Sequence, residues 1–451
     1  MTRRTQSCTR STWSTLRCTD FPVSRRILRG GLRTVSGLLT LTLLTLNLQL
    51  YAPDSAEYGP DRLGTDVVPQ LRFLGQALRG GAGERMEDLF PEGYFFTHVL
   101  YGLAWVEVGL RLPPESTLHL QALEEANWAL ERLDTNAGRA PFSRDLDPPY
   151  GVFYSGWSNW LRGGMLSLQQ EQDRSLAQLD RFQAECQALA LAFDRSPTPF
   201  LPAYPGQAWP VDSVVAMATL RLHDSLFPAR FSTTIQQWLE TAQDRLDPAT
   251  GLLPHRVDSK TGEVLEGARG SSQSLIARFL VEVDPEWGRI QYALFRRQFV
   301  APLLGAPGVR EYPEEIAAQG DIDSGPLVAG FSASATVVMI GAAQVHGDRE
   351  VADALIDASE GAGLPIRWGG SKRYLLGLLP IGDAFLVWAK TSRLWVATWS
   401  EATMPRVVER WWRLPAHGVS LIGVAGLWLL THRVHRSWGP VAAHSLPLNC
   451  L

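Results

Sequence analysis

Between about residues 85 and 400, apolar positions follow two alternating patterns. In the first, apolar residues fill most of a helix-like segment, as at Val214, Val215, Ala218 and Leu222, or at Leu275, Ile276 and Phe279. In the second they form a single stripe, as in residues 118 to 134 (LHLQALEEANWALERLD) and 231 to 247 (FSTTIQQWLETAQDRLD). The spacing predicts helices in both cases, the first kind buried all round and the second packed on one face. Residues 252 to 267 (LLPHRVDSKTGEVLEG) alternate with a period of two about a Lys-Thr-Gly turn, which predicts a short β-hairpin.

A loop of similar texture leads into each strongly apolar segment. The six are PEGYFF around Gly93, YSGWSN around Gly156, WPVDS around Asp212, ARGSSQ around Gly270, DIDSGP around Gly325 and IGDAF around Gly382. They are separated by 63, 56, 58, 55 and 57 residues. A period this long and regular marks a repeated supersecondary unit. Arg132-Leu133-Asp134 and Arg245-Leu246-Asp247 stand 113 residues apart, two units, and each precedes a glycine, Gly138 and Gly251. Two helices per unit and six units give the expected fold class, all-α: an (α/α)6 toroid of six helical hairpins with short β-hairpin excursions, flanked by one or two transmembrane helices. An open solenoid shares the period but carries a stricter repeat consensus. In a closed ring the more apolar helices line the inside and run the same way, so the loops leading into them gather at one rim.

The ends of the chain are organised differently. Residues 1–33 form a basic tail with eight arginines against one acid, Asp20, and residues 34–52 are Leu/Thr-rich and about as long as a bilayer crossing requires. They are expected to be a signal anchor or a signal peptide; a buried helix and a transit peptide are the alternatives. Residues 53–84 are expected as a linker, 85–400 as the toroid and 401–413 as a second linker. Residues 414–431 (LPAHGVSLIGVAGLWLLT) lack acids and lie between Arg410, Arg413, Arg433 and Arg436, so they are a second candidate span, with an amphipathic surface helix as the rival. Residues 432–451 are a tail. Two spans with basic outer flanks put both termini in the cytoplasm and the toroid on the extracytoplasmic side.

Composition narrows the function classes. Of 451 residues, 45% are hydrophobic and 20% charged, which suits a substantial core, and a net charge of −4 gives no electrostatic case for a nucleic-acid partner. Sixteen tryptophans are many for this length, and buried indoles need N–H partners, so contact with a sugar or an apolar ligand joins core packing as a role for them. Cys8, Cys18 and Cys450 lie near the ends, and Cys186 falls among Leu189, Leu191 and Phe193 as a small core residue, leaving no disulfide framework or thiolate metal site. A P-loop, GxGxxG after a strand, HExxH, GxSxG and CxxC are absent from the sequence, which argues against nucleotide hydrolysis, zinc proteolysis and serine hydrolase chemistry. No cofactor or metal is expected. Glu314, Glu315, Asp321 and Asp323 hold carboxylates suited to calcium, but their spacing does not match an EF-hand loop.

The rim loops are rich in carboxylates with aromatics between them: Glu92 and Tyr94; Tyr150, Tyr154, Trp157 and Asn159; Tyr204, Gln207, Trp209 and Asp212; His255, Glu266 and Arg269; Glu314, Glu315, Asp321 and Asp323; Asp383. Paired Asp and Glu suit general acid–base catalysis, because unequal surroundings leave one protonated to donate and the other ionised to accept. Residues 311 to 326 (EYPEEIAAQGDIDSGP) are the most acidic loop, with helix capping by Asp321 or Asp323 as the plainer role. Asp212, just after Trp209-Pro210, has the same plainer role. His255 is a candidate proton shuttle. Arg269 is a candidate anion clamp near a helix N-terminus, unless it simply pairs with Glu266. Tyr94, Tyr154, Trp157, Asn159, Tyr204, Trp209 and Glu266 complete the candidate binding set.

The hairpin period, with loops such as YSGWSNWLRGGMLSL, AYPGQAWPVDS and GDIDSGP, resembles the six-hairpin (α/α)6 superfamily over residues 85 to 400. That superfamily includes glycoside hydrolases, polysaccharide lyases and sugar epimerases, and also linalool dehydratase/isomerase. The resemblance implies acids at inner-helix starts as catalysts, and the matching positions are Asp212, Glu315, Asp321 and Asp323. Linalool dehydratase-like members use site cysteines, and this rim has none. Three functions follow as expectations: a membrane-tethered enzyme acting on an oligosaccharide or other small-molecule substrate by acid–base catalysis, a hydro-lyase or isomerase of an apolar alcohol, or a non-catalytic binding protein on the same fold.

Overall fold

The strongly apolar segments are helices with almost no solvent face. In the computed structural model, every residue of α4 (Gly93–Gly109) except Phe96 is buried, and every residue of α7 (Gly151–Leu168) except Ser167. The amphipathic segments bury only a stripe, as Phe182, Cys186, Leu189 and Phe193 do in α8 (Leu176–Arg195). The structure describes residues 22–51, 58–59, 61–313, 319–398, 408–409 and 411–437, with side chains of the first helix from residue 30 onward. The remaining helices are α1 (Pro22–Gln49), α2 (Val67–Arg79), α3 (Ala82–Glu87), α5 (Thr117–Leu133), α6 (Asn136–Arg139), α9 (Pro210–Leu226), α10 (Ser232–Gln243), α11 (Gly270–Val283), α12 (Pro285–Phe299), α13 (Ala333–Val345), α14 (Arg349–Ala362), α15 (Pro380–Thr391) and α16 (Arg413–Ser437).

Contacts divide the chain into two compact units, one of residues Met1–Thr45 with His417–Leu451 and one of Leu46–Ala416. In the larger unit, α4, α7, α9, α11, α13 and α15 each pack against the next, and α15 returns to α4, closing a ring. Outside them α5, α8, α10, α12 and α14 pack on their partners, and α2 packs on α15. The fold is an (α/α)6 toroid. The inner helices are parallel and nearly in register: Thr219 Oγ1 donates to Gly156 O at 3.2 Å, and Ser274 Oγ to Ala335 O at 2.9 Å. All six therefore start at one rim.

The structure corrects several expectations. Gly156 lies inside α7, not in a loop; a Cβ there would sit 3.2 Å from Ala216 N, so this glycine serves the close approach of α7 and α9. The stretch expected as a linker holds α2, the outer partner of the last inner helix. Buried ion pairs tie it in: Lys372 Nζ lies 2.6 Å from Asp66 and 2.7 Å from Glu360, and Lys390 Nζ 2.9 Å from each of these acids.

The expected hairpin forms as β2 (Arg256–Asp258) and β3 (Val264–Glu266), joined by β1 (Gln207–Ala208) in an antiparallel sheet of order β1-β2-β3. A second sheet of order β4-β5-β7-β6, with strands Val300–Leu303, Ala306–Arg310, Phe331–Ser332 and Leu327–Val328, fills the passage from α12 to α13. A third pairs β8 (Ile366–Trp368) with β9 (Ser371–Arg373) before α15.

Aromatic side chains fill the ring. Trp157 packs edge-on against Phe279 at 5.1 Å and Trp388 at 6.0 Å between centroids. At the far end Trp395 stacks on Trp160 at 4.4 Å, and the N–H groups of Trp395, Val396 and Ala397 donate to Glu282, each at 3.0 Å. Arg278 bridges Glu282 to Glu107 on the opposite wall at 3.2 and 3.1 Å. These contacts plug the far end of the toroid.

In the smaller unit, Ser36 and Thr431 share a buried 2.8 Å hydroxyl contact, and Trp428 Nε1 donates to Thr40 Oγ1 at 3.0 Å. Two helical stretches, Gly30–Gln49 and Arg413–Arg436, are long and apolar enough to cross a membrane. Each begins before the expected bounds of 34–52 and 414–431, and the second also runs past them.

Candidate active site

The third inner helix starts with Pro210, whose missing N–H costs nothing there. Two residues on, Asp212 is only 6% exposed and caps no backbone N–H. The Trp157 indole N–H is near enough to favour the Asp212 carboxylate, but no hydrogen bond joins the two. Burial pushes the Asp212 carboxyl well above the usual carboxylate range, and the negative charges of Asp323 and Glu92 push it further. The geometry favours a protonated carboxyl at the rim.

Tyr204 stands between these acids. Its hydroxyl donates to Glu92, which lies at the start of α4, and burial followed by the Glu92 charge raises its pKa. Its ring stacks on Phe142 at 6.1 Å and meets Trp209 edge-on at 5.5 Å. Antiparallel pairing of Gln207 with Asp258 and of Ala208 with Val257 brings this loop alongside the strand that follows His255.

His255 is buried, with Nδ1 2.5 Å from Ser272 Oγ and Nε2 3.4 Å from Asp323 Oδ2. Arg269 Nη1 lies 3.3 Å from the same Nε2. Nε2 therefore faces both a donor, Arg269, and an acceptor, Asp323. Glu266 lies at the edge of this group, 3.9 Å from His255 Nε2 and 2.6 Å from Arg256.

Arg269 is fully committed within the chain. It donates bidentately to Asp321, with both N···O distances 2.6 Å, and to Glu311 at 2.7 Å. It does not stand free as an anion clamp, and its main partners are Asp321 and Glu311, with Glu266 more distant at 3.4 Å. Glu311 also accepts from Ser271 N at 3.1 Å, neutralising the start of α11; its burial raises its pKa, and Ser271 and Arg269 oppose that rise. Asp321 is held at about 2 against the effect of burial, chiefly by the Arg269 hydrogen bonds, and accepts from Asp323 N at 3.1 Å and Ser324 N at 3.2 Å. These contacts make Asp321 a support for the loop that presents Asp323, not an available acid or base.

Asp212, Asp323, His255, Tyr204 and Trp209 come together with Glu92, and Trp157 lies beneath them. Three other candidates face elsewhere. Asn159 is buried against α8, donating to Phe182 O and Cys186 Sγ, both at 3.2 Å. The Tyr154 hydroxyl donates to Leu133 O at 3.2 Å and accepts from Arg139 at 3.0 Å, on the outer side of α7. Tyr94 packs on His98 at 4.2 Å toward α3, raised in pKa by burial. Helical geometry accounts for all three: neighbouring positions on a helix point to different sides, so residues close in sequence to the rim groups are turned into the wall. Glu314 and Glu315 lie outside the described residues. Asp383 is buried and accepts from Tyr374 N at 3.1 Å and Gln70 Nε2 at 3.2 Å, a structural role. Phe96 and Phe385, 5.6 Å apart and not foreseen, add to the apolar floor beside Trp157. A cavity of ≈ 230 Å³ lies at the opposite rim, lined by residues including Gln344, Asp353 and Arg393, away from these acids.

The closed ring defines the class, an (α/α)6 toroid, with acidic and aromatic side chains gathered at the starts of its inner helices. No family model and no curated protein matches the chain. Solved structures similar to it include a GH76 alpha-mannanase from Bacteroides thetaiotaomicron, 10% identical with a TM-score of 0.42, the match covering 66% of this chain and 86% of that one. Another is an unsaturated glucuronyl hydrolase specific for heparin, 12% identical with a TM-score of 0.42, covering 78% of this chain and 95% of that one. The class assignment stands on the closed ring of this chain itself.

Proposed function

We propose that the chain is a membrane-tethered enzyme acting on a carbohydrate by acid–base catalysis, with Asp212 as the acid and Asp323 as the base. The observation that carries this is the buried, weakly partnered Asp212 carboxyl under the charges of Asp323 and Glu92, with aromatic side chains around it. Asp212 keeps its proton for a leaving-group oxygen. Asp323, half-exposed beside His255, accepts a proton from water or from the sugar. Tyr204 and Trp209 offer ring faces to a sugar. Arg269, Asp321 and Ser272 are positioning residues that set Asp323 and His255.

The tether is supported by α1 and α16, which expose Leu38, Leu41, Leu44, Leu421, Ile422 and Leu430, a surface that lipid accommodates and water does not. Basic flanks support cytoplasmic termini and an extracytoplasmic toroid.

Asp212→Asn and Asp323→Asn, assayed on a panel of exported polysaccharides, are each expected to lower turnover by about 10²- to 10⁴-fold. Full activity in both variants would sink the assignment. The apolar floor of Phe96, Trp157 and Phe385 favours a second reading, a hydro-lyase or isomerase of an apolar alcohol. Turnover of such alcohols, and of no saccharide, would select it.

A further inference from the structure

The residues between α14 and α15 cross from the outer to the inner layer at the rim that carries the site, and they do not look like a water-facing loop. Trp368 is 78% exposed at the tip of the β8–β9 hairpin, Leu378 is 77% exposed and Leu376 54%. Leu375 and Leu376 both hold left-handed backbone, with φ of 46° and 60°, a conformation unfavourable for residues other than glycine.

The exposure does not come from a loosely held segment. Leu375 N donates to Gly363 O at 2.7 Å, Ser371 Oγ to Trp368 O at 2.7 Å, and Arg72 Nη1 to Gly370 O at 2.6 Å. The loop is firmly framed, and its frame turns apolar side chains outward. Between Glu360 and Asp383 the sequence holds no acid; Lys372 is buried on Asp66 and Glu360, which leaves Arg367 and Arg373 as the cations of the loop.

Within the larger unit, Leu50 and Arg413, near its two chain boundaries, both pack on α14. Leu50 is buried against Gly361 near the end of α14, so closely that a Cβ on Gly361 would come within 2.3 Å of the leucine. Arg413 Nε donates to Leu50 O at 2.8 Å, and the same guanidinium pairs with Asp357 of α14. The exposed loop thus begins a few residues from both attachment points.

We infer that this loop is an interfacial anchor: Trp368, Leu376 and Leu378 enter the headgroup–acyl boundary of the bilayer, and the loop's positive charge favours anionic headgroups. Tryptophan and aliphatic side chains beside cations and without acids are the composition of a segment lying in that boundary. The inference rests on the membrane reading of α1 and α16. It adds to that tether a contact of this loop with the lipid surface.

The test uses the full-length chain in nanodiscs of phosphatidylcholine and phosphatidylglycerol, with and without bromine on the acyl chains. Cys8, Cys18 and Cys450 are replaced by serine and the buried Cys186 is kept. An environment-sensitive fluorophore is then placed at one of three positions: Leu44→Cys in α1, Leu378→Cys in the loop, or Gln172→Cys on the opposite rim. Loss of emission in brominated lipid at 44 and 378, but not at 172, is the expected result. Loss at 44 alone overturns the anchor and leaves the tether standing. No loss at 44 overturns both. Equal loss at 378 and 172 overturns a rim-specific contact. A blue shift at 378 without bromine quenching overturns the bilayer in favour of a protein cover, such as a second copy of the chain.

Discussion

Asp212 and Asp383 occupy similar places, in the first turns of the third and sixth inner helices, yet they are held differently. Asp383 accepts from Tyr374 N and Gln70, and burial still raises its pKa from 3.8 to about 7. The folded carboxyl therefore keeps a proton that the unfolded chain has lost, and the native state binds more protons between those two values. Stability falls as pH rises through that window. Asp383→Asn keeps an acceptor for Tyr374 N and removes the titration. Thermal unfolding in detergent should lose less stability than wild type between about pH 4 and about pH 7; parallel curves would refute this. At this scale the sequence was informative about residue type and silent about partners. Arg269 stands three residues from Glu266, but its bidentate partner is Asp321, 52 residues away, and its second is Glu311, 42 residues away. Only the fold chooses among so many nearby acids.

The helix starts depend on close backbone packing. At Gly270 a Cβ would lie 2.1 Å from Arg310 O, and the Gly270 N–H donates to Glu311 O at 2.8 Å. Gly270→Ala should force α11 and β5 apart, destabilising the toroid by about 1–3 kcal/mol and showing as a lowered midpoint in a detergent thermal-shift assay; an unchanged midpoint would contradict that packing. Elements were legible where periodicity carried them. The two kinds of helix and the hairpin at residues 252 to 267 follow from side-chain spacing, and the repeat from the equal steps that closing a ring demands. Gly156 was misplaced because glycine marks tight turns and close helix contacts alike. The sheet of β4 to β7 escaped notice because its strands are two to five residues long and two of them follow a long acidic loop. Nor does any local signal tell that α2, early in the chain, completes the hairpin of α15, since Asp66 and Lys390 are 324 residues apart.

For the molecule as a whole, the proposed tether predicts a protein that stays with the membrane. Alkaline carbonate washing of membranes carrying the full chain should leave it in the pellet, as two crossings require; release into the supernatant would reduce α1 and α16 to surface or core helices. The ring itself was readable in outline, because six paired-helix units at near-equal spacing suit a closed ring, and an open solenoid of the same period carries a stricter consensus. The contents of the ring were not, since inward-facing tryptophans look the same in sequence whether they floor a cleft or fill a core. Trp157, Phe279 and Trp388 fill it, and Trp395 with the Glu282 contacts closes the far end. That plug governs traffic. On the proposed function, a polysaccharide cannot be threaded through this toroid and has to reach the acids from the rim they occupy. On the same reading, substrate enters and product leaves by that one rim.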